Sequence, residues 1–141
     1  MSAEVLVDSS VFAALVTPEE HSDWASANAE EHDYLHILDL NYYEVANALR
    51  YKISEKFSPN DASQAFAKAQ ELLNQCAIHG FSEVATNALR LALELNITVY
   101  DAAFLSLAGK LDLQFLTLDE RLAKKLEGTK YYTLLDFPTK Q

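Results

Sequence analysis

Four carboxylates in this chain sit where solubility alone does not explain them: Asp8, Glu44, Asp101 and Asp119. Asp8 closes the apolar run Val5-Leu6-Val7, and Asp119 follows the run Gln114 to Leu118. Glu44 is the only charged residue between Leu40 and Leu49, and Asp101 the only one between Asn96 and Lys110. A carboxylate in apolar surroundings is costly unless a partner or a metal satisfies it. If the four meet, pairs about 4 Å apart repel by roughly 4 kcal/mol at an effective dielectric near 20. Such a group needs raised pKa values or a bound cation. Oxygen-only ligands suit hard ions, Mg2+ or Mn2+, rather than zinc. Because Mg2+ keeps several waters and is commonly held together with substrate phosphates, the set points to phosphodiester hydrolysis.

Each acid taken singly has an ordinary explanation as well. Asp8 and Asp101 suit helix starts, where backbone N–H groups and the helix dipole favour negative charge. Thr117-Leu118-Asp119-Glu120 fits a capping box, and Glu44 could lie on a solvated stripe with Asn41, Ala48 and Tyr51. Their convergence is what would make them a site.

Convergence depends on the elements that carry them. Apolar runs predict strands at Glu4–Asp8, Leu35–Leu38, Ala77–Phe81, Gln114–Leu118 and Tyr131–Leu135. Between them, helical periodicity and caps predict a helix after Ser9-Ser10, one over Glu19–Glu31 opened by Pro18, and one from Asn41 to Lys56. A further helix starts at Ser58-Pro59-Asn60-Asp61, another runs to Leu95, one spans Tyr100–Ala108 capped by Gly109, and one spans Glu120–Leu126. Strands separated by helices imply right-handed crossovers and an α/β fold, with helices on both faces of a central parallel sheet. Active sites of such sheets lie beyond the carboxyl ends of the strands. All four acids can reach that edge.

Composition sets the outer bounds. The 141 residues, half of them hydrophobic, fit one helix-rich domain, 1–141, with a core that needs no disulfide. The single Cys76 reads as packing and agrees with a reducing compartment. The start MSAEVLVD lacks the basic region of a secretory signal, and uncharged stretches are short, so a soluble cytoplasmic protein off the membrane is expected. A formal charge of −10 runs against simple backbone binding to nucleic acid. Any such contact must be local, and Arg50 on the Glu44 helix and Lys124 beside Asp119 are the candidate RNA contacts. Asp39 is a fifth candidate acid; His32 and His36 span a helix-to-strand change and do not suggest zinc.

The segments VLVDSSVFAAL, LNYYEVANALR, ITVYDAAFLSLA and FLTLDERLAKKL resemble, in order and spacing, the PIN-domain family and its VapC-type toxins of prokaryotic toxin–antitoxin pairs. The resemblance covers nearly the whole chain. It implies an α/β/α sandwich and an Mg2+- or Mn2+-dependent endoribonuclease. It places the metal-binding and catalytic acids on Asp8, Glu44, Asp101 and Asp119, with Thr117 and Ser9 (or Ser10) in support. A homodimer and a cognate VapB-type antitoxin are implied as partners. Two other classes are weighed against it. Aspartyl phosphotransfer needs a second acid soon after the first strand or a D-x-D-x-T motif, and Asp8 is followed by Ser-Ser-Val. A non-catalytic PIN-like module that only binds RNA or protein would not need four intact acids.

Overall fold

A computed structural model describes residues 3–139. Five strands form one parallel sheet: β1 (Glu4–Val7), β2 (Tyr34–Leu38), β3 (Ala77–His79), β4 (Phe115–Leu116) and β5 (Leu135–Asp136), in the order β3-β2-β1-β4-β5. The register pairs Leu6 with both His36 and Phe115. Seven α-helices connect them among the described residues: α1 (Ser9–Val16), α2 (Ser22–Glu30), α3 (Leu40–Tyr51), α4 (Pro59–Asn74), α5 (Ala85–Leu95), α6 (Val99–Leu111) and α7 (Glu120–Leu126).

Alternation along the strands divides the core into two layers. Val5, Val7, Ile37 and Leu116 point to one face and pack with Phe12, Ala25, Val45 and Leu73 of α1 to α4. Leu6, Leu38 and Phe115 point to the other and pack with Leu91, Phe104 and Leu122 of α5 to α7. Phe104 and Phe115 stack with centroids 5.1 Å apart. This is the expected α/β/α sandwich. Because β2 and β3 extend the sheet to one side of β1 and β4 and β5 to the other, the order reverses between β1 and β4. A crevice opens at such a switch point beyond the strand ends.

Several boundaries differ from expectation, for local reasons. The second helix begins at Ser22, not Glu19, because Ser22 Oγ accepts from Glu19 N at 2.8 Å and donates to Thr17 O at 3.0 Å, holding the segment as a turn. α3 stops at Tyr51, and Ser54 and Phe57 form a small antiparallel bridge where helix was expected. α6 continues through Gly109 and is capped by Asp112 in the left-handed region (φ 54°). Most of the expected last strand is a 3-10 turn over Lys130–Leu134, because Thr129 Oγ1 accepts from Tyr131 N and starts a cap there. The third strand ends at His79, where Phe81–Glu83 forms another 3-10 turn. No single helix among the described residues is long and apolar enough to cross a membrane.

Candidate active site

Asp8 lies directly after β1, and its carboxylate caps α1: Oδ1 accepts from Ser9 N at 2.8 Å. Oδ2 accepts from Ser10 Oγ at 2.9 Å and from Thr117 Oγ1, across the crevice, at 2.8 Å. Ser10 Oγ in turn accepts from Leu118 N, and Thr117 Oγ1 from Asp119 N, both at 3.0 Å. Two hydroxyls thus stitch the end of β1 to the segment after β4. Asp119 itself is the N-cap of α7, accepting from Leu122 N at 3.1 Å. The capping box expected to begin at Thr117 does not form, since the Thr117 hydroxyl is engaged with Asp8 and Asp119.

Ser9 has a different task from the one expected. Its amide serves Asp8, while its hydroxyl donates to Glu44 Oε1 at 2.9 Å. Behind it stands Asn41, fully buried, whose Nδ2 donates to Ser9 Oγ and to Val7 O, both at 3.1 Å. Its Oδ1 accepts from Leu38 N at 2.8 Å. One amide therefore ties the ends of β1 and β2 to the serine that orients Glu44. The solvated stripe through Asn41 is excluded, because Asn41 faces the core. Sequence reasoning missed this residue. Its signal was an asparagine three positions before an isolated acid, at the mouth of a strand.

Asp101 is the third residue of α6, where Thr98 caps the helix by accepting from its amide at 3.1 Å. The acids act on one another. Burial pushes Glu44 up to about 7, with Asp8, Asp101 and Asp119 adding repulsion against the relief given by Ser9. Burial likewise pushes Asp101 up to about 6, with Asp119 and Asp8 adding to it and Thr98 and Lys125 easing it. Asp8 is raised by burial despite its three hydrogen bonds, and Asp119 contributes repulsion. The four acids thus form one electrostatic group at the switch point.

The other candidates separate. Lys124 lines a cavity of about 630 Å³ with Asp101, Asp119, Arg121 and Lys125. Arg50 does not; it donates to Asn47 Oδ1 at 3.2 Å and lies 4.6 Å over the Tyr51 ring. Asp39 is committed to the turn after β3, accepting from Phe81 N at 3.2 Å. Cys76 is partly buried and donates to Leu72 O.

The donor set is all oxygen, which fits a hard divalent ion. As the side chains stand, no three His, Cys, Asp or Glu groups among the described residues are gathered to hold a metal. Mg2+ tolerates that arrangement, since it usually takes one or two carboxylates directly and completes its shell with water and substrate oxygens.

A parallel sheet with acids beyond its carboxyl edge at the switch point narrows the fold class. The comparisons make it specific: residues 5–127 match the PIN domain model, and the chain belongs to that family. It is 39% identical over 123 residues to Ribonuclease VapC3 of Pyrobaculum aerophilum, covering 86% of this chain and 94% of that protein. Among solved structures, it is similar to the Pyrobaculum aerophilum protein PAE2754, at 30% identity and a TM-score of 0.59 over 89% of this chain and 81% of the other. It also shares its fold with a toxin–antitoxin complex from Klebsiella pneumoniae, at 16% identity and a TM-score of 0.70 over 97% and 99% of the two chains. Within the PIN-domain family it stands with the VapC-type ribonucleases.

Proposed function

We propose that this single-domain PIN protein is a metal-dependent endoribonuclease, the toxin of a VapBC-type pair. On this reading Asp8, Glu44, Asp101 and Asp119 hold Mg2+ or Mn2+ and cut RNA phosphodiester bonds. What supports the reading is the convergence of acids from four segments at the switch point, where burial first and mutual repulsion second disfavour their charged forms. Their neighbours supply hydroxyls and amides, leaving net negative charge for a cation to offset. When bound, a divalent ion would supply charge neutralisation at the phosphate and a lower pKa for an attacking water.

The chain's own residues do the rest. Ser10 and Thr117 fix both faces of Asp8 Oδ2, so that this carboxylate keeps one orientation while Asp119 is held by Thr117 on the other side. Without metal, burial and its acidic neighbours push the Glu44 carboxyl up to about 7, so near neutral pH it would give up its proton on holding a divalent ion. Ser9, itself gripped by Asn41, keeps Glu44 Oε1 turned to the crevice floor. Lys124 with Arg121 and Lys125 would guide phosphates to Asp101 and Asp119, which is how a chain of charge −10 could still take RNA. Arg50 would contact RNA only beyond Asn47.

The toxin–antitoxin complexes among the similar structures support a small VapB-type antitoxin as partner, and a homodimer in the cytoplasm completes the reading. The deciding experiment incubates the purified protein with labelled RNA in Mg2+ or Mn2+, with and without EDTA. Metal-dependent internal cleavage supports the reading. RNA that stays intact in both metals while the folded protein binds it would favour the non-catalytic module.

A further inference from the structure

Two exposed tyrosines each immediately precede a site acid: Tyr43 before Glu44 on α3, and Tyr100 before Asp101 on α6. Neighbours on a helix are turned by about 100°, so each ring stands beside its carboxylate rather than beneath it. Tyr43 is 76% and Tyr100 59% exposed. Single exposed aromatics are ordinary. These differ because rings from two separate helices line one cavity, of about 380 Å³, together with Glu44, Asn47 and Leu40. Asn47 Oδ1 accepts from Arg50, which leaves the Asn47 amide N–H groups as the donors at that wall. Across the acids lies the larger cavity with Arg121, Lys124 and Lys125. Cations stand on one side of the acids, and aromatic faces with an amide donor stand on the other.

Those two chemistries match the two parts of a nucleotide. Phosphates are drawn by cations, whereas bases are gripped by stacking on aromatic rings and by hydrogen bonds to their edges. A base inside an A-form duplex has both faces covered by its neighbours and cannot stack on a protein ring. We propose that Tyr43 and Tyr100 form a base-binding clamp beside the acids, taking one unpaired nucleobase next to the scissile phosphodiester. The clamp sets where the strand lies; the acids do the chemistry, and the inference rests on the nuclease reading in that respect.

The test combines protein and RNA changes. The substrates are a single-stranded RNA oligonucleotide containing a mapped cut, versions with one abasic nucleotide at each flanking position, and the same sequence as a duplex. KM and kcat are measured in Mg2+ or Mn2+, and equilibrium binding with Ca2+ in their place. Tyr43→Ala and Tyr100→Ala should raise KM and weaken binding by about five- to a hundredfold, as loss of one stacked base does, with a smaller effect on kcat. Tyr43→Phe and Tyr100→Phe should stay near wild type. One abasic position should cost wild type the same factor and cost the alanine variants nothing further, and the duplex should be poorly cut. Alanine variants with unchanged KM and binding overturn the clamp, as do abasic effects that simply add to them. It also fails if the alanine variants turn a dimer into a monomer in sedimentation and regain activity at high concentration, which would make this face a contact between copies. A wild type that binds the single strand but never cuts it defeats the nuclease reading alone, and the abasic binding series still decides the clamp. A wild type that does not bind it overturns the clamp.

Discussion

On the α5–α7 face of the sheet, Glu4, His36, His79 and Glu83 form a row from β1 across β2 and β3 to the following turn. His36 Nε2 lies 2.7 Å from Glu4 Oε1, His36 Nδ1 3.0 Å from His79 Nε2, and His79 Nδ1 3.3 Å from Glu83 Oε2. The two imidazoles stack with centroids 5.2 Å apart. Each carboxylate there ends on a nitrogen. At the β1–β4 switch point the acids end instead on Ser9, Ser10, Thr117 and backbone amides, and they repel one another. Both rows run across one sheet, and both were assembled by the same parallel register. A row closed by its own bases can serve the fold without help. A row of acids whose hydrogen-bond donors are neutral, with Lys125 easing Asp101 alone, holds unspent charge, and the rest of its complement comes from outside the chain.

The largest difference between the rows should appear in catalysis. Asp8→Asn, Glu44→Gln, Asp101→Asn and Asp119→Asn should each lower RNA cleavage by more than about 100-fold, beyond the roughly 10–100-fold that outer-shell partners of metal ligands command. Double substitutions should add little, because the groups act as a unit. Metal-free stability should hold or rise, since each change removes a repelling charge. Cleavage assays beside thermal denaturation check this, and folded single variants cutting at wild-type rates would break the contrast.

Metal and pH should separate the rows next. Mg2+ or Mn2+ at a hundredfold excess over Kd should stabilise the protein by about 2.7 kcal/mol. The acids carry the sign of the pH effect. Glu44 is pushed up to about 7 and Asp101 to about 6, above their ordinary values, so between pH 4 and 7 the folded chain binds more protons than the unfolded one. Their contribution is fully present below the ordinary carboxylate range and is lost as pH rises through 6 to 7. Urea unfolding in EDTA from pH 5 to pH 8 should therefore show wild type losing stability relative to Glu44→Gln. Added metal should oppose that trend and release protons on binding. A wild type that gains on Glu44→Gln with rising pH would contradict the electrostatic picture.

Much of this contrast was legible in the sequence. Isolated charges in apolar runs marked Glu44 and Asp101, and strand ends marked Asp8 and Asp119, because hydrophobic periodicity is local information. What stayed hidden depends on partners distant in sequence. Asn41 looked solvated until the end of β1 supplied Val7 O and Ser9 Oγ as its acceptors. The row of His36 and His79 needed the β2–β3 register, which joins residues 43 apart. The last strand was misplaced because a threonine hydroxyl won the backbone of Tyr131 for a 3-10 turn, a competition that apolar patterning does not register.

Asn41→Ala tests how far the acid row depends on its buried support. It would strand Leu38 N and Val7 O, groups that Asn41 alone satisfies through its side chain. Leaving buried polar groups unpaired costs about 1–3 kcal/mol. Freeing Ser9 from its donor should also lower kcat about 10–100-fold, the scale for a partner one step removed from a metal ligand. Urea unfolding and kcat measured on the same preparations check both, and a variant that loses stability but keeps kcat would show that Ser9 holds Glu44 unaided.

The smallest effect should come from the closed row. His79→Ala removes the hydrogen bond and stack with His36 and the contact with Glu83, so a loss of about 0.5–1.5 kcal/mol for each of the two polar contacts is expected. There is a physical route by which it could reach the acids: His79 O accepts from Asp39 N at 2.8 Å, and Asp39 stands at the start of the helix that carries Glu44. That link is backbone, however, and survives the substitution. Asn41, not His79, fixes the same end of α3 by side-chain bonds. His79→Ala should therefore leave kcat and metal affinity at wild-type values, as should Asp112→Asn, whose left-handed cap suits asparagine. A fall in kcat with His79→Ala, unmatched by Asp112→Asn, would mean that the start of α3 transmits strain from one row to the other.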